Sequence, residues 1–353
     1  MKAAVIHAPR DLRIEEADVP PVGPRDVKVR IRAGGICGSD LHYYQHGGFG
    51  AVRLRQPMIP GHEIAGEVIE VGAEVTRVRP GNKVAVNPSQ PCSHCHFCLA
   101  GQPNHCLDMR FLGSAMRMPH MQGGFREVLV CGEAQAVPVP AGLSLHTAAF
   151  AEPLAVCLHA ARQAGPLLGQ RVLVTGAGPI GALCVMAARH AGARDVVATD
   201  IADAPLEVAR RIDASAAFNT ASDPTALDHY KADKGWFDAA FEASGSGAAL
   251  AGALEVVRPG GVIVQVGISG TDVSLPLNTL VAKEVSLRGT FRFHEEFEWA
   301  VGMLAAGAID VSPLLTEVVP LEEAVRAFDL AGDRSRAMKV QLALCRGAAP
   351  NCL

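Results

Sequence analysis

Arg171-Val-Leu-Val-Thr175-Gly176-Ala-Gly178-Pro179-Ile180-Gly181, followed by Asp195-Val-Val-Ala-Thr-Asp200, is the stretch on which the fold turns. A run of buried-strand residues leads into a G-x-G-x-x-G, then an alanine-rich helical run to about His190, then a second strand closing on an acid. Three glycines alone are a weak signal. Strand, glycines, helix, strand and terminal acid in register make the fingerprint of a Rossmann dinucleotide-binding unit. Gly176 permits the turn, Gly178 lets a pyrophosphate approach the backbone, and Gly181 lets helix and strand pack closely. Pro179 and Ile180 open a helix whose free N–H groups face the phosphates. Asp200 can accept hydrogen bonds from a ribose diol and would repel a 2′-phosphate. No lysine or arginine follows it until Arg210, so NAD is expected rather than NADP.

The alternation of strands and helices continues outward on the C-terminal side. Phe237–Glu242 reads as a strand, Ser246–Val257 as a helix, and Gly261–Gly267 as a buried strand whose end, Val266 and Gly267, is expected beside the cofactor. Val285–Thr290 reads as the last strand of this sheet. Residues 296–308 and 321–331 carry helical periodicity, Val340–Leu344 reads as a strand, and the tail from Arg346 to Leu353 is expected to fray.

On the N-terminal side the text is β-rich. Val27-Lys-Val-Arg-Ile-Arg32 alternates apolar with basic residues, and strand patterning returns over residues 124–140. Between them lies Cys92-Ser-His-Cys95-His-Phe-Cys98 with Cys106 beyond, four thiols spaced for a closed tetrahedral zinc site. His94, His96 and His105 lie among them, but a complete set of four sulfurs needs none of these.

Two further stretches are ambiguous as they stand. Cys37 follows Gly34-Gly35 in Cys37-Gly-Ser39-Asp-Leu-His42-Tyr43, and Gly61-His62-Glu63 opens a strand. Thiolate, imidazole and carboxylate are the ligand types of an open zinc site. Yet consecutive strand residues face opposite ways, so a regular strand would separate His62 from Glu63 unless the Pro60-Gly61 turn breaks the pattern. From local residues, a buried histidine beside a surface glutamate is the simpler reading. Glu152, in an apolar run before Pro153, could cap a helix or serve a site.

Composition narrows the function classes. The net charge is −4, with no basic run to suggest nucleic acid, and no apolar stretch is long enough to span a bilayer. The first residues, Met-Lys-Ala-Ala-Val-Ile-His, do not read as a signal peptide, so a cytoplasmic protein is expected. In a reducing compartment clustered cysteines are more often metal ligands than disulfides.

Taken in order along the chain, these motifs resemble the zinc-dependent medium-chain alcohol and polyol dehydrogenases. The likeness covers the Cys37 segment, Gly61-His62-Glu63, the four-cysteine lobe, Ala151-Glu152-Pro153 and the nucleotide fold. Within that family Gly34–Gln45, Asp108–Met116 and Leu287–Phe293 are most similar to enzymes acting on a six-carbon sugar acid. The resemblance implies an α/β fold with a Rossmann domain, residues 154–289, inserted into a β-rich GroES-like catalytic domain, residues 1–153 and 290–353. It implies a catalytic zinc on Cys37, His62 and Glu63, with Glu152 acting at the fourth position directly or through water, and a structural zinc on Cys92, Cys95, Cys98 and Cys106.

The implied chemistry is oxidation of a secondary hydroxyl. Zinc lowers the hydroxyl pKa and hydride passes to the nicotinamide, while Ser39 and then His42 carry the proton outward. Sorbitol, xylitol or threonine-type activity is the alternative within the family. A zinc hydrolase or redox sensor fits less well, since neither uses the Gly176–Asp200 motif. Arg110 is the candidate for reading a substrate carboxylate, with Arg117 and His120 in reserve, and Arg292 and Tyr43 complete the substrate set. A homotetramer or homodimer is expected by the same resemblance.

Overall fold

The computed structural model describes residues 1–270 and 272–344. Its first sheet is built from the β-branched runs of both chain ends. A hairpin of β1 (Lys2–Ala8) and β2 (Asp11–Glu16) precedes β3 (Asp26–Gly35). After α1 (Gly38–His46) come β4 (Glu63–Val71), β5 (Lys83–Val86), β6 (Val128–Gly132) and β7 (Ala136–Pro138). The strand β3 is the spine. One edge pairs antiparallel with β4, and the other is shared by β6 along residues 26–30 and by a C-terminal strand along residues 33–35.

The helix α2 (Ala151–Ala164) leaves this sheet for the second one. There β8 (Arg171–Thr175), α3 (Pro179–His190), β9 (Asp195–Asp200), α4 (Asp203–Arg211), β10 (Ala216–Asn219), β11 (Phe237–Glu242), α5 (Gly247–Val256), β12 (Val257–Gln265), α6 (Leu277–Lys283) and β13 (Ser286–Gly289) follow in turn. All six strands are parallel, in the order β10-β9-β8-β11-β12-β13. The order reverses between β8 and β11, which opens a crevice at their C-terminal ends. The expected dinucleotide fold is therefore present, with β10 as a sixth strand beyond the five read from the sequence and β12 starting at Val257 rather than Gly261.

After β13 the chain forms α7 (Glu296–Ala305), which packs on α2, and only then rejoins the first sheet through β14 (Leu315–Pro320), α8 (Ala324–Gly332) and β15 (Lys339–Ala343). The tail expected to fray lies outside the described residues. No helix among the described residues is long and apolar enough to cross a membrane.

The core explains why the two sheets hold together. Leu154, Ala155, Cys157 and Leu158 of α2 are buried in one continuous apolar cluster with Ala33, Ala65 and Ala85 of the first sheet, Val172 and Val174 of the second, and Leu183 of α3. Burying a leucine of this kind contributes roughly 1.5–3 kcal/mol. The small residues Ala33, Ala65 and Ala85 let α2 approach the first sheet. Its N-terminus, which carries Glu152, is thereby held where the sheets meet.

Candidate active site

The residues from Gly35 to Glu63 meet because of local backbone chemistry. Cys37 stands just before α1 in extended conformation (φ −91°, ψ 157°). The Asp40 carboxylate accepts from Cys37 N at 3.0 Å with one oxygen and from Gly61 N at 3.0 Å with the other, which ties the start of α1 to the turn before β4. Gly61 has φ +93°, and any side chain there would run into the Phe125 ring. This turn breaks the strand alternation: His62 lies before β4, and Glu63 is its first residue. Gly35 sits opposite Glu63 in register, and a side chain on it would collide with the Glu63 carboxylate.

The result is a cluster in which one ligating atom each of Cys37, His62 and Glu63 lie within 4.8 Å of one another. His62 and Glu63 are both buried, 5% and 1% exposed. The local expectation of a surface glutamate is therefore overturned; the Gly61 turn and the empty side of Gly35 make room for it indoors.

The donor set fits a zinc ion. His62 Nδ1 is buried without a hydrogen bond, 3.8 Å from Asp40 Oδ1, and the ring brings one nitrogen into the cluster as a neutral donor for a metal. Burial first, and then the Glu63 charge, push the Cys37 thiol up to about 11, against the pull of Lys339. A thiolate there needs a cation. Lys339, on β15 and 3% exposed, donates to both Glu63 oxygens at 2.8 Å and to Ile36 O at 3.2 Å. Each carboxylate oxygen keeps a second lone pair for a metal.

Glu152, in the first turn of α2, is buried just beyond this triad. Burial pushes its carboxyl up to about 8, opposed by His62 and helped by Glu63 and Cys37. Ser39 is half-buried on α1 beside Cys37, and its side chain hydrogen-bonds to the thiol. His42 lies one helical turn on, exposed, with burial and His46 lowering its pKa. Tyr43 is 2% exposed and its hydroxyl accepts from Ala115 N at 3.1 Å.

The candidate arginines part company. Arg292 adopts a left-handed φ of +57°, a strained choice for arginine, and its guanidinium lies 4.5 Å from the Phe111 ring centroid and 4.8 Å from that of Phe291. Phe111 in turn packs on the His62 ring at 5.4 Å. Burial pulls Arg292 down to about 10, against the charges of Glu152 and Tyr43. Arg110 precedes Phe111 in the short strand Arg110–Phe111 and so points to the other face; it is exposed, with no polar partner among the described residues. Arg117 braces the lobe through Met109 O, Leu107 O and Asp108, and both ring nitrogens of His120 are taken by backbone groups.

The cysteine lobe forms a second group. The thiols of Cys92, Cys95, Cys98 and Cys106 lie within 4.8 Å of one another, and none of the nearby histidines joins them. Backbone N–H groups of Cys98 and Leu107 pull Cys95 down to about 6, while burial and the neighbouring thiols push Cys98 up to about 12. Four such sulfurs cannot all ionise without a cation, which is the condition zinc satisfies.

The crevice of the parallel sheet is equally explicit. Gly176 turns at φ +83°, and a side chain on Gly181 would strike Gly176 O. Gly178 stands before α3 with open space where a side chain would be, and Pro179 and Ile180 start the helix. The Asp200 carboxylate accepts from Ala177 N at 2.7 Å, from Ile201 N at 2.7 Å and from Ala202 N at 3.0 Å. It therefore also steadies the glycine loop. Val266 N and Gly267 N both donate to Glu242 O, fixing the turn after β12.

Sequence reading missed Asp40, Lys339 and Glu242. Only Asp40 left a local sign, three residues after Cys37 at the start of a helix.

Comparison with known proteins bears on this geometry. Residues 23–141 match the alcohol dehydrogenase GroES-like domain family, and residues 179–306 match the zinc-binding dehydrogenase family. The chain is 46% identical to L-idonate 5-dehydrogenase (NAD(P)(+)) of Escherichia coli K12 over 89% of its length and 90% of the relative's. It is 36% identical to D-xylulose reductase A of Aspergillus niger, over 90% of both chains. A crystal structure of L-idonate 5-dehydrogenase from E. coli K-12 superimposes with a TM-score of 0.91 at 43% identity, over 97% of each chain.

Proposed function

The chain belongs to the zinc-binding dehydrogenases that carry an alcohol dehydrogenase GroES-like domain, and from that premise we propose that it oxidises the C5 hydroxyl of L-idonate to 5-keto-D-gluconate, reversibly, with NAD as hydride acceptor. The class of enzyme, an NAD(P)-dependent zinc alcohol or polyol dehydrogenase, follows from the family itself. The substrate reading is carried by one observation: a half-buried guanidinium, Arg292, stands one aromatic ring away from the Cys37–His62–Glu63 cluster. The 46% identity to L-idonate 5-dehydrogenase supports it.

In this reading Cys37, His62 and Glu63 hold a catalytic zinc, with Glu152 at its open side, and Cys92, Cys95, Cys98 and Cys106 hold a structural one. Zinc supplies a Lewis acid that acidifies the hydroxyl, and NAD accepts the C5 hydride. The protein's own part is to orient and to move a proton. Ser39 takes the hydroxyl proton and His42, exposed at the next turn of α1, passes it to water. NAD held in the crevice would supply the two-electron acceptor, so that ketone, NADH and one proton would balance the oxidation. Arg292 grips the carboxylate with its forked donors, with Tyr43 shaping the wall beside it and Arg110 as the outer cationic group. Asp200 favours NAD because a 2′-phosphate would meet its charge. We place the enzyme in the cytoplasm as a homotetramer or homodimer.

Turnover of L-idonate, sorbitol, xylitol and L-threonine, followed at the NADH absorbance with NAD and with NADP, tests this. L-Idonate with NAD should give the highest kcat/KM, and chelation should abolish it. Arg292→Ala should raise KM for L-idonate far more than for sorbitol, and Arg110→Ala should do so less. Preference for sorbitol or xylitol in the unaltered enzyme would favour the polyol reading, which the 36% identity to D-xylulose reductase A supports.

A further inference from the structure

Glu242 is the last residue of β11, 0% exposed, with no cationic side chain on its carboxylate among the described residues. Its side chain accepts from Ser244 N at 2.9 Å, Gly245 N at 3.0 Å, Gln265 Nε2 at 2.5 Å, Thr175 Oγ1 at 3.4 Å and the Ser244 hydroxyl. A carboxylate buried without a cation is costly unless donors surround it, and an apolar residue would fill the same space without that cost. The donors come from β8, from the turn after β11 and from β12. Thr175, Glu242 and Gln265 are in register across β8, β11 and β12, each at or next to the strand's C-terminal end.

Above them the turns touch backbone to backbone. A side chain on Gly176 would lie 2.7 Å from Ser244 N, and one on Gly267 would strike Gly245. Gln265 Nε2 also donates to Gly267 O at 2.8 Å, so the same network reaches the turn after β12. These turns floor the half of the crevice lying beyond the switch point, away from Asp200.

We propose that Glu242 is a positioning residue for the dinucleotide, fixing the turns after β11 and β12 on which the nicotinamide half rests. This assignment rests on reading the crevice as a dinucleotide site. A purely structural carboxylate would loosen the whole crevice when altered; a positioning one affects only the half that it floors. Glu242→Gln keeps the size but sets an N–H₂ group against donating N–H groups.

The test titrates unaltered protein and Glu242→Gln with NADH by fluorescence and, separately, with ADP, which reaches only the Asp200 half. The variant should bind NADH about ten-fold more weakly or worse, with ADP affinity kept within about two-fold. Unchanged NADH affinity, or equal losses for both ligands, overturns the proposal. If Glu242→Gln does not fold, Ser244→Ala, which removes the hydroxyl donor and keeps the carboxylate, decides: a loss of about three-fold for NADH alone supports it, and no change overturns it. Unaltered protein that binds neither ligand would instead overturn the dinucleotide reading.

Discussion

Lys339 is the residue whose surroundings the linear text conceals best. It stands 276 positions from Glu63, yet its ammonium meets both carboxylate oxygens in a buried pair. Burial works against its charge, but Glu63 and Cys37 more than offset this and raise its pKa. Removing one partner of such a pair strands the other, at a cost of about 3–5 kcal/mol. Lys339→Met should therefore destabilise chelator-treated protein by about that amount in urea unfolding. In a cycle with Glu63→Gln the double variant should cost less than the sum of the singles. Additive losses would mean that the two side chains do not depend on each other. A lone lysine in a strand reads as a surface residue from sequence, and only the meeting of β15 with the β3–β4 ladder reveals its charge partner.

At the scale of elements, α2 and α7 carry the join between the sheets, and a buried carboxylate helps to fasten them. Glu296, 0% exposed at the start of α7, accepts from His159 Nδ1 at 3.0 Å and Arg162 Nη1 at 2.7 Å on α2, and from His294 N at 2.7 Å. Burial raises its pKa, but these hydrogen bonds outweigh burial and hold the carboxyl at about 2. A folded pKa below the unfolded one means stabilisation that is fully present above the ordinary glutamate range and lost as pH falls from about 5 towards 2. Glu296→Gln should accordingly cost about 2 kcal/mol at pH 7, with the deficit shrinking towards pH 3, read from thermal melts across that range. A deficit independent of pH would assign the effect to packing. The helical periodicity of residues 296–308 is plain in the sequence, but its partner on α2 is not, because a heptad-like pattern names a buried face without naming what covers it.

At the scale of the whole molecule, one edge of the parallel sheet stands out for its exposure. β13 pairs with β12 on one side only, and all four of its residues are exposed. Leu287 is 39% exposed, and Leu277 and Val281 on the preceding α6 are 61% and 70% exposed. An unpaired strand with apolar neighbours invites a second strand, and the proposed homo-oligomer offers one from a second copy. Leu287→Lys should shift the chain towards monomer in sedimentation velocity, with the far-UV spectrum unchanged. An oligomer that withstands this change would have to meet through another face.

What the sequence determined alone is whatever its chemistry writes locally. The Rossmann unit from Arg171 to Asp200 was legible because strand, glycine turn and helix are neighbours in the chain, each forced by backbone sterics. The four-cysteine group was legible for the same reason, its ligands lying within one short excursion. Cys37, His62 and Glu63 were not legible from local residues, which favoured a surface glutamate; family likeness was needed to join them. Tertiary structure decided what depends on distant segments meeting: Gly61 turning His62 and Glu63 to one side, Lys339 arriving from β15, Arg292 rather than Arg110 beside the cluster, and Glu242 beneath three turns. Burial and charge pairing are properties of packed neighbours, and neighbours hundreds of residues apart leave no period or spacing in the text.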